Sequence, residues 1–173
     1  MPRILLIDDH AMVREGFRRL LEEADGFEVV AEAGTPGEAL AAARDHEPDL
    51  ALVDLSLGCE TSGLVLLLQL HESHPEMRCV VLSMHDDPGL VVRALERGAS
   101  GYFSKAVAAE ELIEGLRRVM NGDRVLSTDL AAPRADGEAS ALTQRERETL
   151  RGLLSGLPPK VVAAALGISD KTL

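Results

Sequence analysis

The chain has 173 residues, of which 46% are hydrophobic, and its formal net charge at pH 7 is −11. With no Trp, one Tyr and three Phe, its core has to be built from aliphatic side chains, which suits an α/β fold. The charge argues against nucleic-acid binding by the whole chain, and no stretch is apolar enough for a signal peptide or a membrane span, so we expect a cytoplasmic protein without membrane contact.

Five short apolar segments alternate with five longer amphipathic segments in the first part of the chain. The apolar segments predict β-strands at residues 3–7, 28–31, 50–53, 79–82 and 101–103. The amphipathic segments predict helices at residues 11–24, from about 36, at about 63–73, at 88–97 and at 108–120. The second helix opens with Thr35, Pro36, Gly37 and Glu38, a capping box with proline at the first helical position.

Strands that are apolar on both faces and alternate with helices are typical of a parallel sheet covered on both sides. We therefore expect an α/β, flavodoxin-like, doubly wound sheet of five parallel strands in the order 2-1-3-4-5. A dinucleotide-binding fold would need a glycine-rich turn that this sequence does not contain. Residues 1–122 are assigned to this domain, residues 123–139 to a linker without periodicity, and residues 140–173 to part of a second, all-α domain.

Residues 140–173 predict the beginning of a helical domain. Thr143 and Glu146 form another capping box before a leucine-rich helical face. Pro158 opens a second helix that ends at Gly167, and Ser169 is suited to cap a third helix. From residue 138 onward there are five basic and four acidic side chains, so the net acidity belongs to the first domain.

The polar residues after the first, third, fourth and fifth predicted strands form a distinctive set. Asp8 and Asp9 follow the first strand, Asp54 the third, Ser83 the fourth, and Lys105 comes shortly after the fifth. Because the carboxyl ends of parallel strands meet at one edge of a sheet, we expect these side chains to converge there. Two carboxylates ~4 Å apart repel by roughly 4 kcal/mol at an effective dielectric constant of ~20, so the cluster needs an opposing charge.

These converging charges predict a magnesium site that serves phosphoryl transfer. Three carboxylates and Lys105 sum to two negative charges, and Mg²⁺ prefers carboxylate, water and phosphate oxygens. Asp54 is then the expected nucleophile and forms an aspartyl phosphate, while Asp9 shares the cation with the phosphoryl oxygens and Lys105 holds another oxygen. The Ser83 hydroxyl is expected to bond to the attached phosphoryl group.

The segments ILLIDDH, LALVDLSL, VVLSMHDD and GYFSKA resemble, in order, the four signature segments of response-regulator receiver domains. The resemblance implies that a sensor histidine kinase phosphorylates Asp54 and that Asp8, Asp9, Asp54 and the backbone carbonyl of Ser56 hold Mg²⁺. It also implies that Tyr102 is an aromatic switch residue. Its ring moves inward when the Ser83 hydroxyl moves to the phosphoryl group. The implied output surface is the fourth helix, fifth strand and fifth helix.

Residues 142–173, LTQRERETLRGLLSGLPPKVVAAALGISDKTL, are similar to the helix-turn-helix of the NarL/LuxR-type, FixJ-like response regulators. In an intact domain of this kind the resemblance implies that Lys160, Ser169, Lys171 and Thr172 contact promoter DNA. The sequence ends at the start of the expected recognition helix, and reading the major groove takes several helical turns, so we expect this polypeptide to bind DNA poorly.

Some of these residues also have ordinary structural interpretations. His10 is interpreted as a surface residue at the start of a helix. Ser83 could instead cap the following helix, and Tyr102 could simply pack at the edge of the sheet. Cys59 and Cys79 have neither metal-ligand nor redox spacing.

We interpret the chain as a phosphorylation-controlled transcriptional regulator that forms a homodimer on activation. It is not expected to be an enzyme beyond self-catalysed phosphorylation and dephosphorylation. One alternative is a Mg²⁺-dependent phosphatase, but such enzymes carry an acid/base aspartate two residues after the nucleophile, where this chain has Ser56. Another alternative is a receiver-only module that regulates partners without DNA.

Overall fold

The computed structural model describes residues 1–24, 26–58, 60–85 and 87–127. The expected second domain lies outside the described residues, and so does the expected linker from residue 128 onward. The four expected DNA contacts, Lys160, Ser169, Lys171 and Thr172, therefore remain predictions.

Six parallel strands form one sheet in the order β2-β1-β3-β4-β5-β6. The strands are β1 (Arg3–Ile7), β2 (Glu28–Ala33), β3 (Leu50–Asp54), β4 (Arg78–Ser83), β5 (Ala99–Ser104) and β6 (Val125–Leu126). The helices are α1 (Ala11–Glu23), α2 (Pro36–His46), α3 (Glu60–Ser73), α4 (Pro88–Glu96) and α5 (Ala109–Met120). The predicted fold class and the order of the first five strands are confirmed. None of the helices in the described part of the chain combines the length and apolarity needed to cross a membrane.

The expectation of only five strands was wrong, because β6 adds a sixth at the sheet edge. Val125 pairs with Gly101 and Leu126 with Tyr102, within the segment expected to belong to the linker. A strand of two residues is too short to produce an alternating pattern, so periodicity could not reveal it. The available signal was an apolar pair in a polar segment, and both of its side chains are buried.

The core consists of two apolar layers, one on each face of the sheet. Successive side chains of a strand point to opposite faces, so on β3 Leu50 and Leu52 belong to one layer and Ala51 and Val53 to the other. Helices α1 and α5 cover the first layer, and α2, α3 and α4 cover the second. Burying each leucine of this kind contributes roughly 1.5–3 kcal/mol, and the two-sided packing fixes the positions of the strand ends.

The start of α2 has the predicted capping interactions. The Thr35 hydroxyl accepts a hydrogen bond from the backbone N–H of Glu38 at 3.3 Å, and Pro36 is the first helical residue. The Glu38 carboxylate in turn accepts one from the backbone N–H of Gly34 at 2.8 Å. These bonds satisfy donors that a helix start otherwise leaves unpaired, and they hold α2 next to the end of β2.

Helix α3 begins at Glu60, about three residues before the predicted start at Gly63. A glycine often marks a helix boundary, but Gly63 serves a close packing contact instead. A Cβ atom at this position would collide with the backbone of Leu55. The glycine therefore lets α3 lie directly against the loop that follows β3.

Candidate functional site

Asp8, Asp54 and Lys105 meet at the carboxyl edge of the sheet. The Lys105 Nζ donates to Asp8 Oδ2 at 2.6 Å and to Asp54 Oδ2 at 2.8 Å. The side chains of Asp8, Asp54 and Lys105 are only 7%, 1% and 11% exposed. Asp8 and Asp54 are 97 and 51 positions away from Lys105 in the sequence, so the parallel topology brings the three residues together as predicted.

Backbone donors fix the second oxygen of each buried carboxylate. Asp54 Oδ1 accepts from the N–H of Ser56 at 2.9 Å, and Asp8 Oδ1 accepts from the N–H of His10 at 2.8 Å. Hydrogen bonds to a buried carboxylate offset part of the cost of removing it from water. The loops after β1 and β3 therefore hold the two acids in defined orientations.

Burial and ion pairing act in opposite directions on Lys105. Burial of the ammonium lowers its pKa, but hydrogen bonds and charge interactions with Asp54 and Asp8 outweigh burial, and the pKa of Lys105 is raised above its ordinary value of 10.5. The ammonium therefore stays protonated at neutral pH. It supplies a fixed positive charge between the two buried carboxylates at this edge of the sheet.

Asp9 and His10 complete the acidic end of the cluster on its solvent side. Asp9 is 35% exposed and its Oδ1 lies 2.7 Å from His10 Nδ1. One ligand atom from each of Asp8, Asp9, His10 and Asp54 can be chosen so that all four lie within 4.8 Å of one another. The three carboxylate oxygens of this set fit a hard divalent cation.

The Ser83 side chain is fully buried at the end of β4, beside the strand that carries Asp54. Its Oγ accepts from the N–H of His85 at 3.0 Å, and its carbonyl accepts from the N–H of Lys105 at 2.9 Å. It does not cap the next helix, because the Asp87 side chain caps α4. The alternative role of helix cap is therefore excluded, and the backbone bond to Lys105 places Ser83 next to the residue whose ammonium bridges the two acids.

Tyr102 lies on β5 with its side chain fully buried. Its hydroxyl donates to the carbonyl of His85 at 2.7 Å. The ring is therefore in an inward position, and one residue, His85, is bonded both to Tyr102 and to Ser83. Sequence reasoning placed Tyr102 and Ser83 at the edge but could not identify the His85 backbone as the link between them.

Arg14 was also missed by sequence reasoning. Its Nη1 donates to the backbone carbonyl of Asp8 at 2.5 Å, and its Nε donates to Glu32 at 3.1 Å. Arg14 thus ties the loop after β1 to β2. No motif marks this arginine, because charged residues on a helix are usually solvated.

Comparisons with known proteins agree with this architecture. The model of the response regulator receiver domain matches residues 4–117, and that of bacterial regulatory proteins of the luxR family matches residues 140–173. The chain belongs to the response regulators and joins a receiver domain to a LuxR-type DNA-binding domain.

Individual relatives match along most or all of the chain. The transcriptional regulatory protein UhpA of Salmonella typhimurium is 41% identical over 173 residues, covering 100% of this chain and 86% of that protein. The nitrate/nitrite response regulator NarL of Escherichia coli is 38% identical, with coverages of 98% and 83%. A LuxR-family two-component response regulator from Aurantimonas sp. SI85-9A1 has a crystal structure that matches with a TM-score of 0.71 and 37% identity, covering 76% of this chain and 93% of that one.

Proposed function

We propose that Asp54 accepts a phosphoryl group from a sensor histidine kinase and that this transfer switches a promoter-binding output. The observation that carries the proposal is the Lys105 ammonium, which bridges Asp54 and Asp8 in a buried edge of the sheet. A nucleophilic carboxylate beside a fixed cation suits attack on a phosphorus centre, because charge develops on the phosphoryl oxygens. Such a switch, charged by a kinase and read out on DNA, works in the cytoplasm.

In the transfer step, a carboxylate oxygen of Asp54 attacks phosphorus. The bond from phosphorus to the kinase histidine breaks, and the electron pair of that bond returns to the imidazole. The N–H of Ser56 donates to Asp54 Oδ1. Lys105 donates to Asp54 Oδ2 before the transfer and to the phosphoryl group after it. The product is an acyl phosphate, so the chain is a phosphoacceptor whose own catalysis is limited to its phosphorylation and dephosphorylation.

The same residues fit a magnesium ion. The carboxylates of Asp8, Asp9 and Asp54 with the Lys105 ammonium sum to two negative charges, and we assign the backbone carbonyl of Ser56 as a further oxygen ligand. Bound Mg²⁺ would neutralise charge on the phosphoryl oxygens. Asp9, the most exposed of the three acids, is available to an ion that enters from solvent.

The His85 backbone gives a physical route from phosphorylation to the switch. Ser83 Oγ accepts from the His85 N–H, while the Tyr102 hydroxyl donates to the His85 carbonyl. When the Ser83 hydroxyl turns to donate to a phosphoryl oxygen, the loop that holds Tyr102 has to adjust as well. The change then reaches α4, β5 and α5, the surface we assign to signal output and to homodimer formation.

The predicted domain boundaries are kept in this proposal with one extension. Residues 1–122 belong to the phosphoacceptor domain, residues 123–139 to the connection and residues 140–173 to part of the DNA-binding domain, and β6 extends the first domain into the predicted connection. Within the DNA-binding part we assign promoter contacts to Lys160, Ser169, Lys171 and Thr172.

Incubation with acetyl phosphate and Mg²⁺ tests the central step. Intact-mass measurement should show one added phosphoryl group, which hydroxylamine releases because the product is an acyl phosphate. Asp54→Ala should abolish the mass gain, while Asp45→Ala, which removes an exposed acid of α2, should retain it. Phosphorylation that survives in Asp54→Ala, or that resists hydroxylamine, would contradict the proposal.

A further inference from the structure

The side chain of His10, at the start of α1, lies against two carboxylates of the acidic cluster. Its Nδ1 is 2.7 Å from Asp9 Oδ1 and 3.4 Å from Asp8 Oδ1. It occupies the N-cap position of α1, yet its side chain makes no capping hydrogen bond. The ring is therefore directed to the two acids and not to the start of its own helix.

The contact to Asp9 has the length of an N–H···O hydrogen bond, and both His10 distances are also close to those between neighbouring ligands of one metal ion. In an octahedral site with bonds of about 2.1 Å, adjacent donor atoms are about 3.0 Å apart and opposite ones about 4.2 Å apart. The separations of 2.7 and 3.4 Å between Nδ1 and the two carboxylate oxygens bracket the adjacent value. The donor atoms of Asp8, Asp9, His10 and Asp54 all lie within 4.8 Å of one another. This separation exceeds the distance between opposite ligands of an octahedral ion by about 0.6 Å, so the side chains need to move only slightly to surround one ion.

Ligation by His10 would leave no buried polar group unpaired. The Nδ1 lone pair would face the ion, and the ring proton would sit on Nε2. Because the His10 side chain is 68% exposed, water can solvate that N–H. An exposed imidazole also avoids most of the desolvation cost that a buried ligand would bring.

We propose that His10 is an additional protein ligand at this edge and that it extends the site from Mg²⁺ to nitrogen-accepting divalent cations of the first transition row. Mg²⁺ selects oxygen donors, whereas imidazole suits Ni²⁺ and Zn²⁺. The inference rests on the proposed magnesium site, which supplies the carboxylates. His10 then determines which cations other than Mg²⁺ the receiver holds.

Calorimetric titration of the metal-free protein with Ni²⁺ and, separately, with Mg²⁺ tests this role. In His10→Gln the Kd for Ni²⁺ should rise by about tenfold or more, because even indirect supports of metal ligands cost about 10- to 100-fold when they are lost. The Kd for Mg²⁺ should stay within about twofold, since its oxygen ligands remain. His46→Gln is the matched control, because His46 is an exposed residue in the last turn of α2, and it should bind both ions like the parent chain.

A spectroscopic measurement identifies the ligand directly. Electron spin echo spectra of bound Mn²⁺ should contain a nitrogen coupling that His10→Gln removes and His46→Gln retains. The proposal is overturned if His10→Gln keeps the parent Ni²⁺ affinity or the nitrogen coupling. It is also overturned if His10→Gln weakens Mg²⁺ as much as Ni²⁺, since the histidine would then act only through the carboxylates.

Asp9→Asn separates this inference from the proposed function on which it rests. Loss of Mg²⁺ binding in Asp9→Asn, together with unchanged Ni²⁺ binding in His10→Gln, would contradict the proposed role of His10 and still support the proposed magnesium site. Parent-like Mg²⁺ binding in Asp9→Asn would instead contradict the proposed magnesium site itself.

Discussion

Replacing Lys105 with methionine removes the charge between two buried acids while keeping most of the side-chain volume. The Lys105 Nζ lies 2.6 Å from Asp8 Oδ2 and 2.8 Å from Asp54 Oδ2, so these oxygens are at most about 5.4 Å apart, the sum of the two distances. At that separation and an effective dielectric constant of about 20, the carboxylates repel by about 3 kcal/mol. Breaking a buried ion pair typically costs about 3–5 kcal/mol. We therefore expect Lys105→Met to lower the free energy of unfolding by about 3 kcal/mol without metal.

Urea unfolding at neutral pH in the presence of a chelator measures this loss. Adding Asp54→Asn to Lys105→Met should restore most of it, because one of the two repelling charges is then gone. Mg²⁺ should stabilise Lys105→Met more than the parent chain, since the cation replaces the missing positive charge. A loss below about 1 kcal/mol, or no recovery in the double variant, would refute the electrostatic reasoning.

Three further predictions concern packing, hydrogen bonding and pH. Gly63→Ala should cost about 1–3 kcal/mol in urea unfolding because its Cβ meets backbone, whereas Gly16→Ala, in open space on α1, should stabilise by about 0.5–1 kcal/mol; equal effects would contradict the packing argument. Tyr102→Phe removes the hydroxyl that donates to His85 and should cost about 1 kcal/mol, so an unchanged urea midpoint would argue against that bond. Burial raises the pKa of the Cys79 thiol from 9.0 to about 12, so the unfolded chain ionises first and stability falls as the pH rises from 9 towards 12. Cys79→Ala should remove this part of the slope, which is at most about 1.4 kcal/mol per pH unit, and an identical slope in the variant would contradict the assignment.

The positions of the strands could be predicted because each strand of the buried sheet is a short apolar segment. Once the sheet is parallel, a rule of topology brings Asp8, Asp54 and Lys105 to one edge, although they are far apart in sequence. The rule concerns strand ends and not side-chain conformations. It could not show that Lys105 bridges both acids, or that the ring of His10 turns to the acids and away from its helix.

Features that depend on a few residues escaped prediction for a different reason. Strand β6 has only two residues, which is less than one full alternation of the side-chain pattern. The start of α3 was predicted about three residues too late, and Gly63 lies inside the helix, where the nearby backbone of Leu55 leaves no room for a Cβ atom. Local patterns report what a segment favours on its own, and these two features are set by what packs against the segment.

Strand β6 covers an edge of the sheet that would otherwise be open to pairing with another chain and so to aggregation. Without it, β5, with its large buried side chains Tyr102 and Phe103, would be the last strand and would offer unpaired backbone groups to a second chain. The two residues of β6 pair with Gly101 and Tyr102, and Ser127 adds a backbone bond to the Tyr102 carbonyl at 3.0 Å. A receiver fragment that ends at residue 122 would expose this edge, whereas one that ends at residue 127 keeps it covered by a strand too short to template further pairing.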